Sequence, residues 1–304
     1  MSEASPVGTQ AAHASTTGIV VCADDFAMTN GVSQAIIDLA EAGRLSAVSA
    51  MTTTAHWPSH ATWLARVRGK VSAGLHLNLT LGAPLGAMPT FAPGRTFPTL
   101  GGVTGRALLR RIDPAELSAE IDRQIAAFEA EIGFPPDHID GHQHVHALPQ
   151  VRACLLGVLV QRYAKSALRP LLRAPAEPPS RILARGSAVM KSLVLSGLSS
   201  GFAGAAATAG FPCNDGFGGV TAFRAGTVDA EFAQSCAAPG PRHLVMCHPG
   251  LIDDELRRID PILERREDEF RMLAAGRFPA AIWRPHRSAS GPPIDWATDW
   301  TGTS

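Results

Sequence analysis

The feature that most constrains the fold of this chain is the alternation of short apolar runs with amphipathic helix patterns. The first run, residues 19–22, is continuously apolar, which is typical of a strand buried on both faces of a parallel sheet. Residues 32–40 then repeat apolar side chains at helical spacing, and Gly43 ends that helix. The clearest amphipathic helix begins at Pro114 and ends at Gly133. Because this order recurs along most of the chain, it predicts right-handed βαβ units in a parallel sheet.

The composition narrows the classes of function. The 304 residues carry 27 basic and 27 acidic side chains, so no positive excess favours nucleic acid or an anionic membrane as a partner. The five cysteines are scattered without a CxxC pair, which argues against a disulfide framework or a structural zinc knuckle and favours the reducing cytoplasm. Residues 192–210 are uncharged, but small side chains dominate them. We therefore expect a helix and loop packed against the body, without stable membrane insertion.

One domain is expected, from residue 18 to residue 285. Residues 1–17 lack the basic and apolar regions of a signal peptide and are typical of a flexible tail. Residues 286–304 form a second tail, which we expect to be ordered only where it docks on the body. Length alone allows about two domains, but α/β barrels of this size commonly form one.

Ionisable side chains gather where the predicted strands end. Because the carboxyl ends of parallel strands build the active sites of barrels and open sheets, we expect these side chains to meet at one rim. They are Asp24, Asp25, His76, Asp140, His142, His144, His146, Arg173 and His248. No glycine-rich nucleotide cradle follows any predicted strand.

The run DGHQHVH is a candidate metal site. If it formed a straight strand, Asp140, His142, His144 and His146 would share one face, because alternate residues of a strand point the same way. A carboxylate beside imidazoles can fix their tautomer, as it does around metal ions. The alternative is a solvated or pH-sensitive histidine tract.

Four motifs, ADDF, GLHLNLT, HIDGHQHVH and MCHPG, occur in the order found in the YdjC-like carbohydrate deacetylases, and the chain resembles that family over residues 19–285. The family includes chitooligosaccharide deacetylase and hopanoid-associated homologues. The resemblance implies a distorted (β/α) barrel, similar to a TIM barrel and related to polysaccharide deacetylases, with one divalent metal ion. It further implies that Asp25, His76 and His142 hold the metal, that Asp24 is the general base and that Arg173 steadies Asp24.

The residue types agree with these roles. One carboxylate and two imidazoles leave coordination positions for water and substrate. Imidazole ligands favour zinc over magnesium, and the resemblance leaves both ions open. Asp24 could instead cap the next helix, and Arg173 could form an ordinary surface ion pair.

The remaining candidates surround this centre. His248 fits a general acid, with a buried structural histidine as the alternative. Asp140 is expected to orient His142, while His144 and His146 are assigned to substrate contact or to support of the metal ligands. Asn78 and Asp215 are candidates for sugar hydroxyls, with an ordinary loop role equally supported.

Two positions depart from the family pattern. Ala27 stands where the family usually has glycine after ADDF, which predicts a more regular turn. Ala176 stands where homologues often carry a second arginine. Both differences bear on substrate detail and leave the expected metal site intact.

These observations predict a metal-dependent hydrolase that removes the N-acetyl group from an N-acetylated sugar, either chitooligosaccharide-like or a glycolipid headgroup. The nucleophile would be a water activated by the metal, and related proteins suggest a homodimer. The alternatives are a metal-dependent hydrolase of another amide or ester, and a non-catalytic metal- or glycan-binding homologue. A glycoside hydrolase is disfavoured, because nothing indicates two carboxylates flanking a glycosidic bond without a metal.

Overall fold

A computed structural model of the chain describes residues 18–224, 226–298 and 300. Its centre is a seven-stranded sheet in the order β5-β4-β3-β2-β1-β7-β6, and every neighbouring pair is parallel. The strands are β1 (Val20–Phe26), β2 (Ala47–Ala50), β3 (Ser72–Leu77), β4 (His138–Gly141), β5 (Leu171–Leu172), β6 (Gly216–Gly218) and β7 (His243–Cys247). All seven residues of β1 are buried, as the apolar run at its start predicts.

Helices follow most of the strands and cover the outside of the sheet. They are α1 (Asn30–Glu41), α2 (Trp57–Val67), α3 (Leu100–Leu108), α4 (Pro114–Ile132), α5 (Pro149–Arg162), α6 (Pro179–Arg185), α7 (Val189–Leu198), α8 (Phe202–Thr208), α9 (Val228–Ser235), α10 (Leu256–Ile259) and α11 (Leu263–Ala274). The predicted bounds of α4 are confirmed, because Asp113 accepts hydrogen bonds from the first turn and Gly133 ends the helix at a φ of 78°.

The sheet curls until its two edge strands meet. The backbone N–H of Leu172 in β5 donates to the carbonyl of Pro212, just before β6, at 2.8 Å. Further along, the Asn214 side chain accepts from the N–H of Ala174 at 2.7 Å and donates to the Ala174 carbonyl at 2.9 Å. A side-chain amide therefore replaces a stretch of strand pairing. The predicted distorted (β/α) barrel is confirmed.

The straight strand that would place the DGHQHVH side chains on one face does not form. Strand β4 ends at Gly141, and residues His142–Ala147 form a 3-10 turn in which Gln143 and His144 have φ of 53° and 60°. Left-handed backbone at two successive residues rotates each side chain away from the alternation of a strand. The three histidines of this turn therefore point to different surroundings.

Residues beyond 285 dock on the amino-terminal end of the barrel. Trp296 is buried, stacks on Trp283 at 5.3 Å between ring centroids, and donates its indole N–H to the carbonyl of Asp137 at 2.6 Å. The Asp137 carboxylate accepts from Arg287 and from the N–H of Ile294. This part of the predicted C-terminal tail thus completes the core, whereas residues 1–17 and 301–304 lie outside the described residues.

The uncharged segment forms two helices. Val189–Thr208 is long and apolar enough to cross a membrane by length and composition alone, and 17% of it is buried. The structure breaks it at Gly201, which has a φ of 76°, and neither half reaches the ~30 Å of a bilayer core. Phe202 and Ala206 of α8 are buried. Helix α7 has no fully buried residue, but its partly buried Leu195 and Leu198 pack against the core, so the predicted packing against the body is confirmed.

Candidate metal centre and active site

The paired acids lie at the carboxyl end of β1, where the strand breaks. Adjacent residues of a regular strand point to opposite faces, but Asp25 has a φ of 69° and the register with β2 shifts between Ala23 and Phe26. Asp24 and Asp25 consequently line the same cleft. The regular turn predicted from Ala27 is wrong, because Ala27 has a φ of 69° without being glycine.

Three side chains converge at this point, from β1, from β3 and from the turn that follows β4. Asp25 Oδ1 lies 2.8 Å from His142 Nδ1 and 3.3 Å from His76 Nε2. The three residues offer ligand atoms that all lie within 4.8 Å of one another, close enough to share one ion. Asp25 and His76 are buried, while His142 reaches the cleft. The donor set of one carboxylate and two imidazoles fits a catalytic zinc or a similar divalent cation.

Asp140 holds His76, and its expected pairing with His142 is wrong. Asp140 Oδ1 lies 2.6 Å from His76 Nδ1, whereas the Nδ1 atom of His142 faces Asp25. Holding Nδ1 leaves Nε2 of His76 turned to Asp25, which is how a carboxylate orients a metal-binding histidine. Burial alone would lower the pKa of His76, but the charges of Asp140 and Asp24 raise it to about 10.

The second oxygen of Asp25 is held by Arg266, a residue that the sequence did not single out. Arg266 lies in α11, is 1% exposed, and donates from Nη2 to Asp25 Oδ2 at 2.7 Å. Burial would raise the pKa of the Asp25 carboxyl, but His142 and Arg266 outweigh it and hold that pKa well below its usual range. Asp25 is therefore ionised, as a metal ligand must be.

Asp24 is clamped by Arg173. Both oxygens of Asp24 accept from the guanidinium, each at 2.6 Å, and the same guanidinium also contacts Asp140. Arg173 is fully buried, so it is not a surface ion pair. The helix-cap role for Asp24 is excluded as well, because Thr29 caps α1.

His248 stands over Asp24 in the loop after β7. Its Nε2 lies 3.9 Å from Asp24 Oδ2, and its backbone N–H donates to Glu269 of α11 at 2.6 Å. Burial lowers the pKa of His248, and its Nδ1 has no hydrogen-bond partner among the described residues. The ring lies edge-on to Phe223 and lines the cleft beside both acids.

The other predicted residues divide between the cleft and its supports. His144 lines the cleft against the edge of Phe217, and burial holds its pKa well below the usual value. His146 is buried behind it and donates from Nε2 to the carbonyl of Arg173 at 2.8 Å. It thereby supports the strand end that carries Arg173.

Asn78 and Asp215 are not brought to the cleft. The Asn78 side chain is used within its own loop, where Oδ1 accepts from the N–H groups of Thr80 and Leu81. Asp215 precedes β6, at the opposite end of the barrel, where it pairs with Arg242 at 2.7 Å. Neither residue lines the cleft beside Asp24.

Two further groups of potential ligands occur among the described residues, and both contain Asp140. One adds Cys22 and His138, and the other adds Asp24 and His76. Arg173 donates to Cys22 Sγ at 3.1 Å and contacts both acids. The Arg173 guanidinium holds both oxygens of Asp24, so its charge opposes a cation in either group. In the Asp25 group, Arg266 holds only Oδ2, and Oδ1 is left facing the two imidazoles. The Asp25 group is therefore the best candidate metal site.

The cleft has a volume of about 570 Å³, and its two sides differ in polarity. Asp24, Asp25, His142 and His248 form its polar floor. The walls are largely apolar and include Leu100, Leu148, Val194, Leu198, Phe223 and Ile259. Part of this apolar wall comes from α7, whose Val194 is 58% exposed.

A family model described as YdjC-like protein matches residues 18–284. The chain belongs to the YdjC-like family. This confirms the family predicted from the four motifs. The match extends over the whole barrel, including α11, which carries Arg266.

Individual relatives agree with this family. The chain is 36% identical over 171 residues to a chitooligosaccharide deacetylase of Serratia marcescens, a match that covers 55% of the chain and 63% of the relative. It is 35% identical over 158 residues to a chitooligosaccharide deacetylase of Yersinia pestis bv. Antiqua (strain Angola), which covers 50% of the chain and 58% of the relative. The matched stretch thus spans about three-fifths of the length of these curated relatives.

The fold also resembles a crystal structure. A candidate cellobiose-phosphate cleavage protein of Enterococcus faecalis V583 superposes with a TM-score of 0.60, covering 84% of this chain and 90% of that protein. The two sequences are 22% identical, so this likeness supports the barrel architecture alone.

Proposed function

We propose that this YdjC-like protein is a metal-dependent hydrolase that removes the N-acetyl group from an N-acetylated sugar. The observation that carries the proposal is the meeting of Asp24, Asp25, His142 and His248 on one cleft floor. Buried His76 completes the candidate metal-binding group with Asp25 and His142. Two relatives are named chitooligosaccharide deacetylases, which points to the same bond and substrate class. The products would be acetate and a free amino sugar.

Asp25, His76 and His142 would hold one divalent cation, with zinc favoured by the two imidazoles and magnesium as the alternative. When bound, the cation supplies Lewis acidity toward the acetyl carbonyl oxygen and makes a water more acidic. Other residues of the protein orient these ligands and balance their charge. Asp140 fixes the ring of His76 at 2.6 Å, and Arg266 neutralises the outer oxygen of Asp25 at 2.7 Å.

Asp24 would accept the proton of the attacking water. Its carboxylate is buried, yet it lines the cleft next to Asp25. Arg173 holds both carboxylate oxygens through donors at 2.6 Å, which leaves a further lone pair on each oxygen. The clamp fixes the direction of the Asp24 carboxylate, as a general base requires.

His248 would return the proton to the leaving nitrogen. Its Nε2 lies 3.9 Å from Asp24 Oδ2, so a small movement allows the proton taken by Asp24 to pass to the imidazole. Burial lowers the pKa of His248, which makes its protonated form a strong donor to the amine. Glu269 accepts from the backbone N–H of His248 at 2.6 Å and so holds the loop that carries the ring.

The experiment measures acetate released from N-acetylglucosamine oligomers. Protein stripped with a chelator is assayed before and after addition of zinc or magnesium. Restoration of acetate release by one of these ions supports the proposal and identifies the cation. Full activity in the stripped protein, or no acetate release with either ion, contradicts it.

A second candidate substrate is favoured by the walls of the cleft. The side chains of Leu148, Val194 and Phe223 offer apolar surface, whereas a free oligosaccharide presents mostly hydroxyl groups. An acetylated amino sugar linked to an apolar group, such as a glycolipid headgroup, would use both the polar floor and these walls. A higher kcat/KM for an alkyl N-acetylglucosaminide than for a free oligomer of equal sugar length would favour this candidate.

The remaining assignments belong to the same proposal. We place a single catalytic domain at residues 18–285 and propose that it acts on a small-molecule sugar rather than on a nucleic acid. We also propose that the protein is a cytoplasmic homodimer. The balance of 27 basic and 27 acidic residues supports the absence of a nucleic-acid partner. Gel filtration with light scattering would test the dimer.

A further inference from the structure

The two oxygens of Asp25 have separate partners. Oδ1 alone faces the imidazoles, at 2.8 Å from His142 Nδ1 and 3.3 Å from His76 Nε2. Oδ2 accepts a hydrogen bond from Arg266 Nη2 at 2.7 Å. An aspartate can bind a cation through one oxygen or through both. The positive charge of Arg266 therefore lies against the oxygen that a two-oxygen mode would need, and it opposes a cation there.

Arg266 is itself held firmly in place. Asp260 Oδ2 accepts from Nε at 2.9 Å and from Nη2 at 2.5 Å. The backbone carbonyl of Arg266 also accepts from the N–H of Gly250 in the loop that carries His248, at 3.1 Å. The side chain is 1% exposed, so water does not weaken these contacts. Arg266 therefore cannot turn away from Asp25 without breaking a buried network.

We propose that Arg266 is a positioning residue that keeps Asp25 a one-oxygen metal ligand and so preserves coordination positions for water and substrate. The expected effect of Arg266 on turnover rests on the proposed function. The expected binding of a cation through one oxygen of Asp25 does not depend on that function. A catalytic site needs such free positions, whereas a carboxylate bound through both oxygens fills one of them.

The inference predicts that metal affinity and turnover respond differently. Replacing Arg266 by methionine removes a buried positive charge near the cation and frees Oδ2 of Asp25. Zinc affinity should stay the same or rise, while turnover should fall by about 10- to 100-fold, as expected when the outer partner of a ligand is lost. Damage that is only structural would lower both quantities together.

The test compares Arg266→Met, Arg266→Lys and Arg271→Met. Arg271 lies on the same helix with a 64% exposed side chain, and its partners are Glu267 and Asp268, so it is a matched control. Zinc affinity is measured by competition with a chelator, and the ligand atoms around zinc are counted by X-ray absorption. Arg266→Lys keeps the charge without the planar fork and should recover part of the turnover.

The two possible failures are distinguishable. A native protein that binds zinc but releases no acetate contradicts the proposed function, and the affinity and absorption measurements still test Arg266. A parallel loss of zinc affinity and turnover in Arg266→Met, or unchanged turnover, overturns the inference. If circular dichroism shows that Arg266→Met does not fold, zinc affinity, the number of ligand atoms around zinc and turnover are measured on Arg266→Lys instead. An unchanged number of ligand atoms together with native turnover in Arg266→Lys overturns the inference.

Discussion

Arg173 donates two parallel hydrogen bonds to Asp24, each 2.6 Å long, and the same guanidinium also contacts Asp140. Burial would lower the pKa of Arg173, but the two carboxylates raise it, so the side chain stays charged. Because Asp140 also holds His76, this one arginine connects the candidate base to the candidate metal ligands. Geometry at the base and at the metal is therefore coupled.

Arg173→Lys should lower kcat by about 100-fold, because a point charge replaces the planar fork and lets Asp24 shift. Arg173→Met should also reduce the free energy of unfolding by about 3–5 kcal/mol, since it leaves two buried carboxylates without their partner. Steady-state kinetics and urea unfolding measure the two effects. Arg169→Lys is the control, because Arg169 contacts Ala209 and Phe211 away from the cleft. Native kcat in Arg173→Lys would contradict the coupling.

Asp24 and Asp25 are adjacent, but we expect Asp24 to act as the base and Asp25 to bind the metal. The same Asp→Asn substitution at each position distinguishes these two roles. Asp24→Asn should reduce kcat by about 100- to 10,000-fold, the range for a lost general base, while zinc still binds. Asp25→Asn should weaken zinc binding itself, because a neutral amide replaces the charged ligand. Calorimetric titration with zinc and acetate assays give the two readouts. Near-normal turnover in Asp24→Asn would show that another group is the base.

Asp140→Asn should weaken zinc binding by about 10- to 100-fold, because Asp140 fixes the ring of His76. Zinc affinity is again measured by chelator competition. The matched control is Asp215→Asn, which changes an acid paired with Arg242 at the other end of the barrel. Loss of sugar affinity in Asp215→Asn would restore the substrate role that the sequence suggested and the structure does not support.

The strand ends could be predicted from the sequence because two signals coincide there. Continuous apolar runs mark buried strands, and ionisable residues directly after them, such as Asp24 and His248, lie at the carboxyl rim. Proline and glycine likewise marked the bounds of α4. These signals are local, so a single sequence contains them. The meeting of His76 and His142 with Asp25 then follows from the parallel order of the strands.

The turn after β4 and the role of α11 could not be predicted in this way. Alternating histidines are as compatible with a strand as with the left-handed turn that Gln143 and His144 adopt. The segment LERREDEF has the composition of a solvated helix face, yet Arg266 and Glu269 are buried against the site. Their burial depends on acids that are distant in sequence, such as Asp25, and local periodicity does not report such partners.

Trp296→Ala should lower the free energy of unfolding by about 3–5 kcal/mol, because it removes a buried aromatic side chain and the hydrogen bond to Asp137. Turnover at low temperature should stay native, since Trp296 lies at the amino-terminal end of the barrel. Trp63→Ala, which removes a partly buried tryptophan from α2, should cost less. Urea unfolding compares the two variants. A neutral Trp296→Ala would show that the residues beyond 285 contribute little to the core.

Acid should destabilise the protein through two buried neutral histidines, His146 and His243. Burial lowers the pKa of each from 6.5 to about 4. Between these values the unfolded chain binds protons that the folded state does not, so the stability present above pH 6.5 is lost as the pH falls toward 4, by up to about 3 kcal/mol per histidine.

His243→Gln keeps a donor for the carbonyl of Ser235, which His243 Nε2 contacts at 2.9 Å, and removes the titrating ring. Urea unfolding at pH 7, 6 and 5 should show a shallower loss of stability in His243→Gln than in the native protein, whereas His286→Gln, at an exposed position, should not differ from native. Equal slopes in His243→Gln and the native protein would mean that His243 takes up its proton without unfolding.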